Sequence, residues 1–537
     1  MLVLKSNCIF DSVDDKSFRG YVVIENERII EVGRGEIDSK KYENALFYDL
    51  KNKTIMPGFC DNHVHMYPGA LEMLSINIRE TKSEEEVAEK LFDYYKERED
   101  EWILGFGWLE YKWENPKLPS KNSLDKFFPK KPVVLFNDEM HSIWVNSYAL
   151  KICNITKRTK EKGHGKIVKD EKGEPTGLLL EPDAIMLVTE KMFSSLGASK
   201  AKKAIRTFIE RAHALGITSV ADNELINTCR HKIYKEIEEE GDLDLRIFFS
   251  PWITEPIKKV LKLKKKYCSD KLTLLGVKGF IDGTPLAHTG YLLEDYNDMP
   301  GYRGEMFMDS DWLKKKAIEF NRHNIPLRLH ACGDRAVREA LNAFEAAKNE
   351  NIGTGVRNTI EHIEVINKKD LKRFKQTGTI ASIQPRHMVM SSLKEHEAFG
   401  ILGEERAKLA WPGKTLADNG AIVSFGTDYP IVDLDPINTI YRAVTRVMGD
   451  DLPKEGWNPK EKFSVAEAIK NATINVAYMM NMEKKIGTLE RGKLADIVVL
   501  SDDIFSLEPM NISKVSIEKT IFNGEIVFEK ENCKGGD

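Results

Sequence analysis

Four histidines stand where an ion could be held. His63 and His65 flank one valine in GFCDNHVH, His330 falls near the end of IPLRLHA, and His362 lies within NTIEHIEV. Each run reads as a short apolar strand with its histidines toward the C-terminal end. Residues i and i+2 of a strand share a side, so His63 and His65 are co-facial, about 6.6 Å apart at Cα. Two imidazoles at that spacing can ligate one ion, and His330 with His362 can share a second. Other strand ends bring Asp222, Lys278, Asp282, Arg386 and Asp428. With Lys278 inward, Asp282 faces the same cleft if its strand continues. With Asp428 inward, Gly426 is inward too and leaves space below it. Ordinary structural packing explains any one of these residues, but it explains the joint pattern poorly. Imidazole nitrogen and carboxylate oxygen suit zinc, iron or manganese, and a set without thiolates does not read as a closed structural zinc site.

Such side chains need elements to aim them. Eight candidate strands alternate with helical stretches, at 58–65, 132–138, 216–223, 272–282, 325–331, 358–365, 378–385 and 421–428. The helix in SEEEVAEKLFDYYKERED opens on a capping box, Ser83 and Glu86. This alternation predicts an α/β fold, a (β/α)8 TIM barrel, in which the C-terminal strand ends form one catalytic face. A doubly wound open sheet is the alternative, but no GxGxxG follows any strand to support it. The barrel domain, 58–484, exceeds the ~250 residues of a plain barrel. Segments 66–131 and 142–197 therefore read as insertions, forming a lobe over the barrel mouth. The chain ends differ: both are strand-rich, and Asn523-Gly524 is a strong hairpin signal. They predict one composite β-sandwich domain, 1–57 plus 485–537, with Pro57-Gly58 as the step into the barrel.

Composition narrows the partners. The formal net charge is −4, which suggests neither nucleic acid nor an anionic membrane surface. No apolar run approaches the ~20 residues of a membrane helix, and MLVLKSNCIFDSVDD is too polar for a signal peptide. The lysine run KKVLKLKKKY reads as the solvated face of an outer helix. Seven cysteines with no CxxC pair argue against a disulfide framework. These features predict a cytoplasmic protein with mostly structural thiols, acting on a small molecule. No interface for a homo-oligomer is legible.

PGFCDNHVH, LHACGDRA, IEHIEV and FGTDYP resemble the strand-one, strand-five, strand-six and strand-eight motifs of the amidohydrolase superfamily of metal-dependent hydrolases. GTLERGKLADIVVL resembles the segment by which those proteins return to their β-sandwich. HSIWVNSYAL, GEPTGLLLE, VKGFIDGT and SIQPRH are similar to segments of the amidohydrolase-3 branch that includes N-substituted formamide deformylase. The resemblance implies that His63, His65 and Asp428 bind a first divalent metal, with zinc the leading candidate, and that His330 and His362 bind a second. It places Lys278 where two-metal relatives carry a carboxylated lysine as an anionic bridge. A single metal beside an unmodified Lys278 stays open.

The same resemblance implies a hydrolase of non-peptide C–N bonds, with a linear amide as substrate. A bound metal lowers the pKa of water from ~15.7 towards ~7, and the hydroxide attacks the carbonyl. Asp428 then serves as general base and afterwards as general acid. His141 is a second catalytic candidate, donating to the oxyanion or binding substrate, with simple packing equally open. Trp108, Asp282, His288, Arg386 and His387 are the substrate-binding candidates. Trp108, with Trp113 and Tyr111, also reads as the small core of an inserted lobe. Cyclic amides, imidazolones and esters are alternative substrates for such a site, and a non-catalytic scaffold is the remote alternative.

Three departures accompany the resemblance. His288 stands where near relatives carry arginine, which bears on substrate choice. RNTIEH lacks the second basic residue of RHRIEH. Arg328 shares parity with His330 and points inward, so it needs a buried partner. Strand parity offers Asp61, Asp222 and Glu364 for that role.

Overall fold

The computed structural model describes residues 1–531 except 139, 162, 226–227, 229 and 390–396. Both chain ends contribute to one eight-stranded sheet. Its N-terminal strands include Leu2–Ile9, Phe18–Glu25 and Thr54–Pro57; its C-terminal strands are Ile497–Leu500, Ile517–Phe522 and Glu525–Glu529. The two ends meet where Thr54–Pro57 pairs antiparallel with Ile497–Leu500. At the last hairpin, Asn523 (φ 48°) and Gly524 (φ 83°) supply the two positive φ angles of a tight turn. An isolated bridge between Arg28 and Leu494 brings the strand Arg28–Arg34 back toward the C-terminal arm.

Between the ends lie two parallel sheets of four and five strands; eight of these strands are labelled here β1 Phe59–Val64, β2 Ile217–Asn223, β3 Arg246–Ser250, β4 Val277–Phe280, β5 Leu327–Ala331, β6 Thr359–His362, β7 Ile380–Ile383 and β8 Ile422–Phe425. Strands β1 to β3 form one sheet, with Leu272–Leu274 on its edge, and β4 to β8 form another. Single bridges join the two sheets at both seams. At one, Lys278 N donates to Pro251 O at 2.8 Å and Ile253 N donates to Lys278 O at 2.7 Å. At the other, Asp428 N donates to His63 O at 2.7 Å and His65 N donates to Tyr429 O at 2.8 Å. Gly426 makes the second seam close: a Cβ there would overlap Asn62 Oδ1 and the His63 amide. Helices follow the strands and pack on their outer side through one apolar face. Asp334–Glu350 buries Ala336, Val337, Ala340, Leu341, Phe344 and Ala347, the spacing of a single helical stripe.

Two strands differ from the sequence reading. Val133–Asn137, read as a barrel strand, pairs instead with Ile103–Trp108 and Ser142–Val145 in a separate six-stranded sheet. A short continuous apolar run fits either location, so periodicity could not decide. The strand that fills its place is β3, RIFFS, masked in the sequence by its leading charge. Arg246 is fully buried, and its guanidinium pairs with Asp496 at 2.7 and 2.9 Å. It also lies 4.8 Å over the Phe522 ring. The charge is thus spent on joining β3 to the terminal sheet.

Candidate metal centre

The C-terminal ends of β1, β4, β5, β6 and β8 converge on one buried cleft. His63 is fully buried, and its Nδ1 lies 2.8 Å from Glu361 Oε2. A carboxylate accepts, so Nδ1 carries the proton and Nε2 presents a lone pair. Burial first, then the Lys278 charge, pushes the His63 pKa down to about 4, so the ring is neutral at pH 7. Its Nε2 lies 3.3 Å from Asp428 Oδ1 and 3.3 Å from Lys278 Nζ. His65 is fixed in the same sense. Its Nδ1 meets the Asn223 carbonyl at 2.8 Å, and its Nε2 is aimed at Asp428 Oδ1 from 2.9 Å. Asp428 Oδ1 is buried and receives no hydrogen bond. Imidazole lone pairs facing an unsatisfied carboxylate oxygen are the donor set of a divalent metal, with each second ring nitrogen held by an outer acceptor.

His362 completes the arrangement. His63, His362 and Asp428 each offer a ligand atom within 4.8 Å of the others, and so do His330, Cys332 and His362. The His330 and His362 rings lie 4.3 Å apart, and burial drives both pKa values well below the usual histidine range. Lys278 is fully buried. Burial, opposed by Glu361 and Asp428, lowers its pKa to about 8. The amine is then partly neutral near physiological pH, the form that reacts with carbon dioxide.

Glu361 is the residue that strand parity missed. Neighbours in a strand face opposite sides, yet Glu361 and His362 both point inward. The backbone explains it: His362 (φ 75°) and Ile363 (φ 52°) adopt the left-handed region, which ends the alternation. Such angles cost about 1–3 kcal/mol each and gather at functional sites. Asp428 (φ 63°) is another. Glu361 also accepts from Arg328 Nε at 2.9 Å, while Arg328 Nη2 donates to the Asn62 carbonyl at 2.5 Å. Burial would raise the Glu361 carboxyl, but Arg328 and His63 outweigh it and hold the group far below its ordinary range. The partner of Arg328 is therefore Glu361, and not Asp61, Asp222 or Glu364. Asp61 instead accepts from the His63 amide at 3.0 Å and the Thr427 hydroxyl at 2.6 Å. Asp222 accepts from the Met66 amide at 2.9 Å and the Tyr234 hydroxyl at 2.8 Å. Both brace the backbone around the first two histidines.

The substrate-binding candidates divide. A cavity of about 880 Å³, counted to its open mouth, lies over the cleft, and His141, His330, His362, His387 and Asp428 are in its wall. His141 is oriented by Glu181, 3.0 Å from its Nδ1. His387 Nε2 lies 3.5 Å from Asp428 Oδ2, with its ring stacked on His362. Asp282 is fully buried beneath the cavity. It accepts backbone N–H bonds from Tyr291 at 2.8 Å, Cys332 at 3.0 Å and Gly333 at 2.8 Å. Of the five substrate-binding candidates only His387 is in the cavity wall; Asp282, Trp108, His288 and Arg386 are not. Trp108 is in the core of the six-stranded sheet with Trp113 and Trp144, and its indole donates to Leu135 O at 3.0 Å. His288 turns to Asp298 at 2.9 Å, and Arg386 pairs with Asp433. Tyr111 is exposed.

The sequence matches the family described as "Amidohydrolase family" over residues 47–528, and the chain belongs to that family. With this fold and donor set, it is a metal-dependent hydrolase of the amidohydrolase class. Among individual proteins, it is 29% identical to the Arabidopsis thaliana protein LONG AFTER FAR-RED 3 over 98% of this chain and 91% of that one. It is 23% identical to the N-substituted formamide deformylase of Arthrobacter pascens, with 95% of each covered. A solved structure, an uncharacterized metal-dependent hydrolase from Pyrococcus furiosus, superposes with a TM-score of 0.74 at 27% identity. That match covers 94% of this chain and 99% of that one. Among the described residues, no helix is long and apolar enough to cross a membrane.

Proposed function

We propose that the protein hydrolyses the C–N bond of a small, linear, N-substituted amide. The observation that carries this reading is the convergence of the His63 and His65 Nε2 atoms on the unsatisfied Asp428 Oδ1. His63, His65 and Asp428 would hold one divalent metal, and His330 with His362 a second. Zinc suits these donors. Carboxylated Lys278, beside His63, would bridge the two. When bound, the metal supplies Lewis acidity and makes a water acidic enough to ionise near neutral pH. The chain's own groups do the rest. Asp428 Oδ1 faces the ligands, while Oδ2 is on the side of His387 and His362. One oxygen is thus left to take the proton of the attacking water and deliver it to the departing nitrogen. His141, fixed by Glu181, faces the cleft across the cavity and would donate to the carbonyl oxygen.

The rest of the cavity favours an uncharged, apolar substituent. Pro285, Leu286, Met388, Leu402, Trp411 and Ile431 are in its wall, beside the polar Thr284 and Glu364. A formamide or short acyl amide with a hydrophobic group on nitrogen fits this lining, and the similarity to N-substituted formamide deformylase supports that choice. For the architecture, we read β1–β8 as one closed (β/α)8 barrel in a domain of 58–484. The six-stranded sheet is then a lobe over its mouth, and 1–57 plus 485–537 form the companion β-domain.

The test is a hydrolysis panel on metal-loaded protein, with N-formyl, N-acyl and cyclic amides in parallel. Linear N-substituted amides should turn over, and Asp428→Asn should lower kcat by about 10²–10⁴-fold. Turnover confined to cyclic amides or esters would replace this substrate class. Equal activity of Asp428→Asn and wild type would remove the assigned role.

A further inference from the structure

A second cavity, about 960 Å³ counted to its open mouth, shares His141 with the first. Aromatic rings dominate its wall. Trp252 follows β3 by two residues, Phe280 ends β4, and Phe307 and Trp312 flank the start of the helix Ser310–Arg322. The Trp252 and Phe280 rings lie 5.6 Å apart. Phe280 also stacks on His330 at 4.6 Å, so one ring separates this cavity from the His330–His362 pair. The acidic groups of the wall are Glu181 and Asp183, in the first turn of the helix Glu181–Ser195. Glu181 is engaged by His141, and Asp183 accepts from the His164 amide at 3.0 Å. Among the described residues, no lysine or arginine borders the cavity or pairs with either carboxylate. Lys316, 5.9 Å from the Trp312 ring, is turned to Glu319 at 2.8 Å, and Lys278, 4.8 Å over Phe280, belongs to the cleft. A helix dipole accounts for acidic residues in a first turn. It does not account for aromatic faces gathered in the same wall. Aromatic faces beside an unpaired carboxylate are the surroundings that bind an ammonium ion.

We propose that this second cavity binds an ammonium group carried at the end of the substrate's acyl chain, with Trp252 and Trp312 supplying ring faces and Asp183 the counter-charge. The proposal rests on the amide-hydrolase reading above and narrows it, from formamides and short acyl amides, to acyl amides with a cationic end. The route follows from connectivity. An amide carbonyl carries one group on its nitrogen and one on its carbon. With the nitrogen substituent in the first cavity, the acyl chain has to leave the cleft elsewhere. The second cavity begins at His141, the residue assigned to the carbonyl oxygen. A chain ending in carboxylate would meet Glu181 and Asp183, and like charges brought together are penalised. A chain ending in methyl would gain apolar contact but no charge attraction.

Ketone analogues test this without turnover. In each, CH2 replaces the amide N–H, a benzyl group stands for the nitrogen substituent, and an acyl chain of increasing length ends in ammonium, methyl or carboxylate. Their Kd values on metal-loaded protein are measured by calorimetry, and the matching amides are assayed for hydrolysis in parallel. At the best length, the ammonium-ended ketone should bind at least about 10-fold more tightly than the methyl-ended one, with the carboxylate-ended one weakest. Asp183→Asn should shrink the ammonium-to-methyl ratio. Equal affinity for the three ends at every length overturns the proposal, and so does a ratio that survives Asp183→Asn. If Asp183→Asn does not fold, Trp312→Leu decides by the same ratio. An ammonium preference in binding without hydrolysis of any amide overturns the C–N reading and leaves the second cavity's role standing. Hydrolysis with one KM for all three ends does the reverse.

Discussion

At the scale of single residues, the cleft is organised by Glu361, which carries two duties with one carboxylate. It fixes the proton of His63 on Nδ1 and neutralises the buried Arg328. Glu361→Gln keeps the shape but removes the charge. Metal affinity should fall about 10–100-fold, as for other partners that orient a ligand histidine. Stability should fall by about 3–5 kcal/mol, because Arg328 is left buried without a counter-charge. Metal titration and urea unfolding of the metal-free variant measure the two effects separately. An affinity loss without a stability loss would mean that Arg328 finds another partner. His63 and His65 were legible in the sequence because strand alternation holds through β1. Glu361 was hidden because alternation breaks at the left-handed His362, and no residue type there announces the break.

At the scale of elements, apolar pattern found seven of the eight parallel strands and misassigned one. Val133–Asn137 is as apolar as a barrel strand because it sits at the centre of its own sheet, between two partners. Strand β3 was overlooked because Arg246 makes its start look exposed. Hydrogen-bond partners, which sequence spacing does not encode, settle both cases. The Arg246–Asp496 pair also gives β3 a measurable dependence on the terminal sheet. Asp496→Ala should cost about 3–5 kcal/mol in urea unfolding, since it strands a fully buried guanidinium. The cost should shrink in Asp496→Ala combined with Arg246→Met, where no charge remains to be compensated. A double variant as unstable as the single one would show that the pair's hydrogen bonds, and not its charge, hold the junction.

At the scale of the whole molecule, the candidate ligand set spans β1 to β8, so an ion bound there would cross-link distant parts of the chain. Ligands that bind only the folded state stabilise it by mass action, about 2.7 kcal/mol at a hundred times Kd for one site. Thermal melts should therefore rise when zinc or cobalt is added to chelated protein, and His63→Ala should flatten that response. An unchanged melting temperature in wild type would argue that the cleft does not hold the ion tightly. The order in which the chain is made adds a further consequence of the terminal sheet. Thr54–Pro57 pairs with Leu2–Ile9 on one side, but its partner on the other side is Ile497–Leu500, more than four hundred residues later. At ~5–20 residues per second, a ribosome takes on the order of 20–90 s to supply it. Every candidate ligand, from His63 to Asp428, is synthesised inside that interval. The nascent protein therefore owns every candidate metal ligand while one edge of its first sheet still waits for the strand that will cover it.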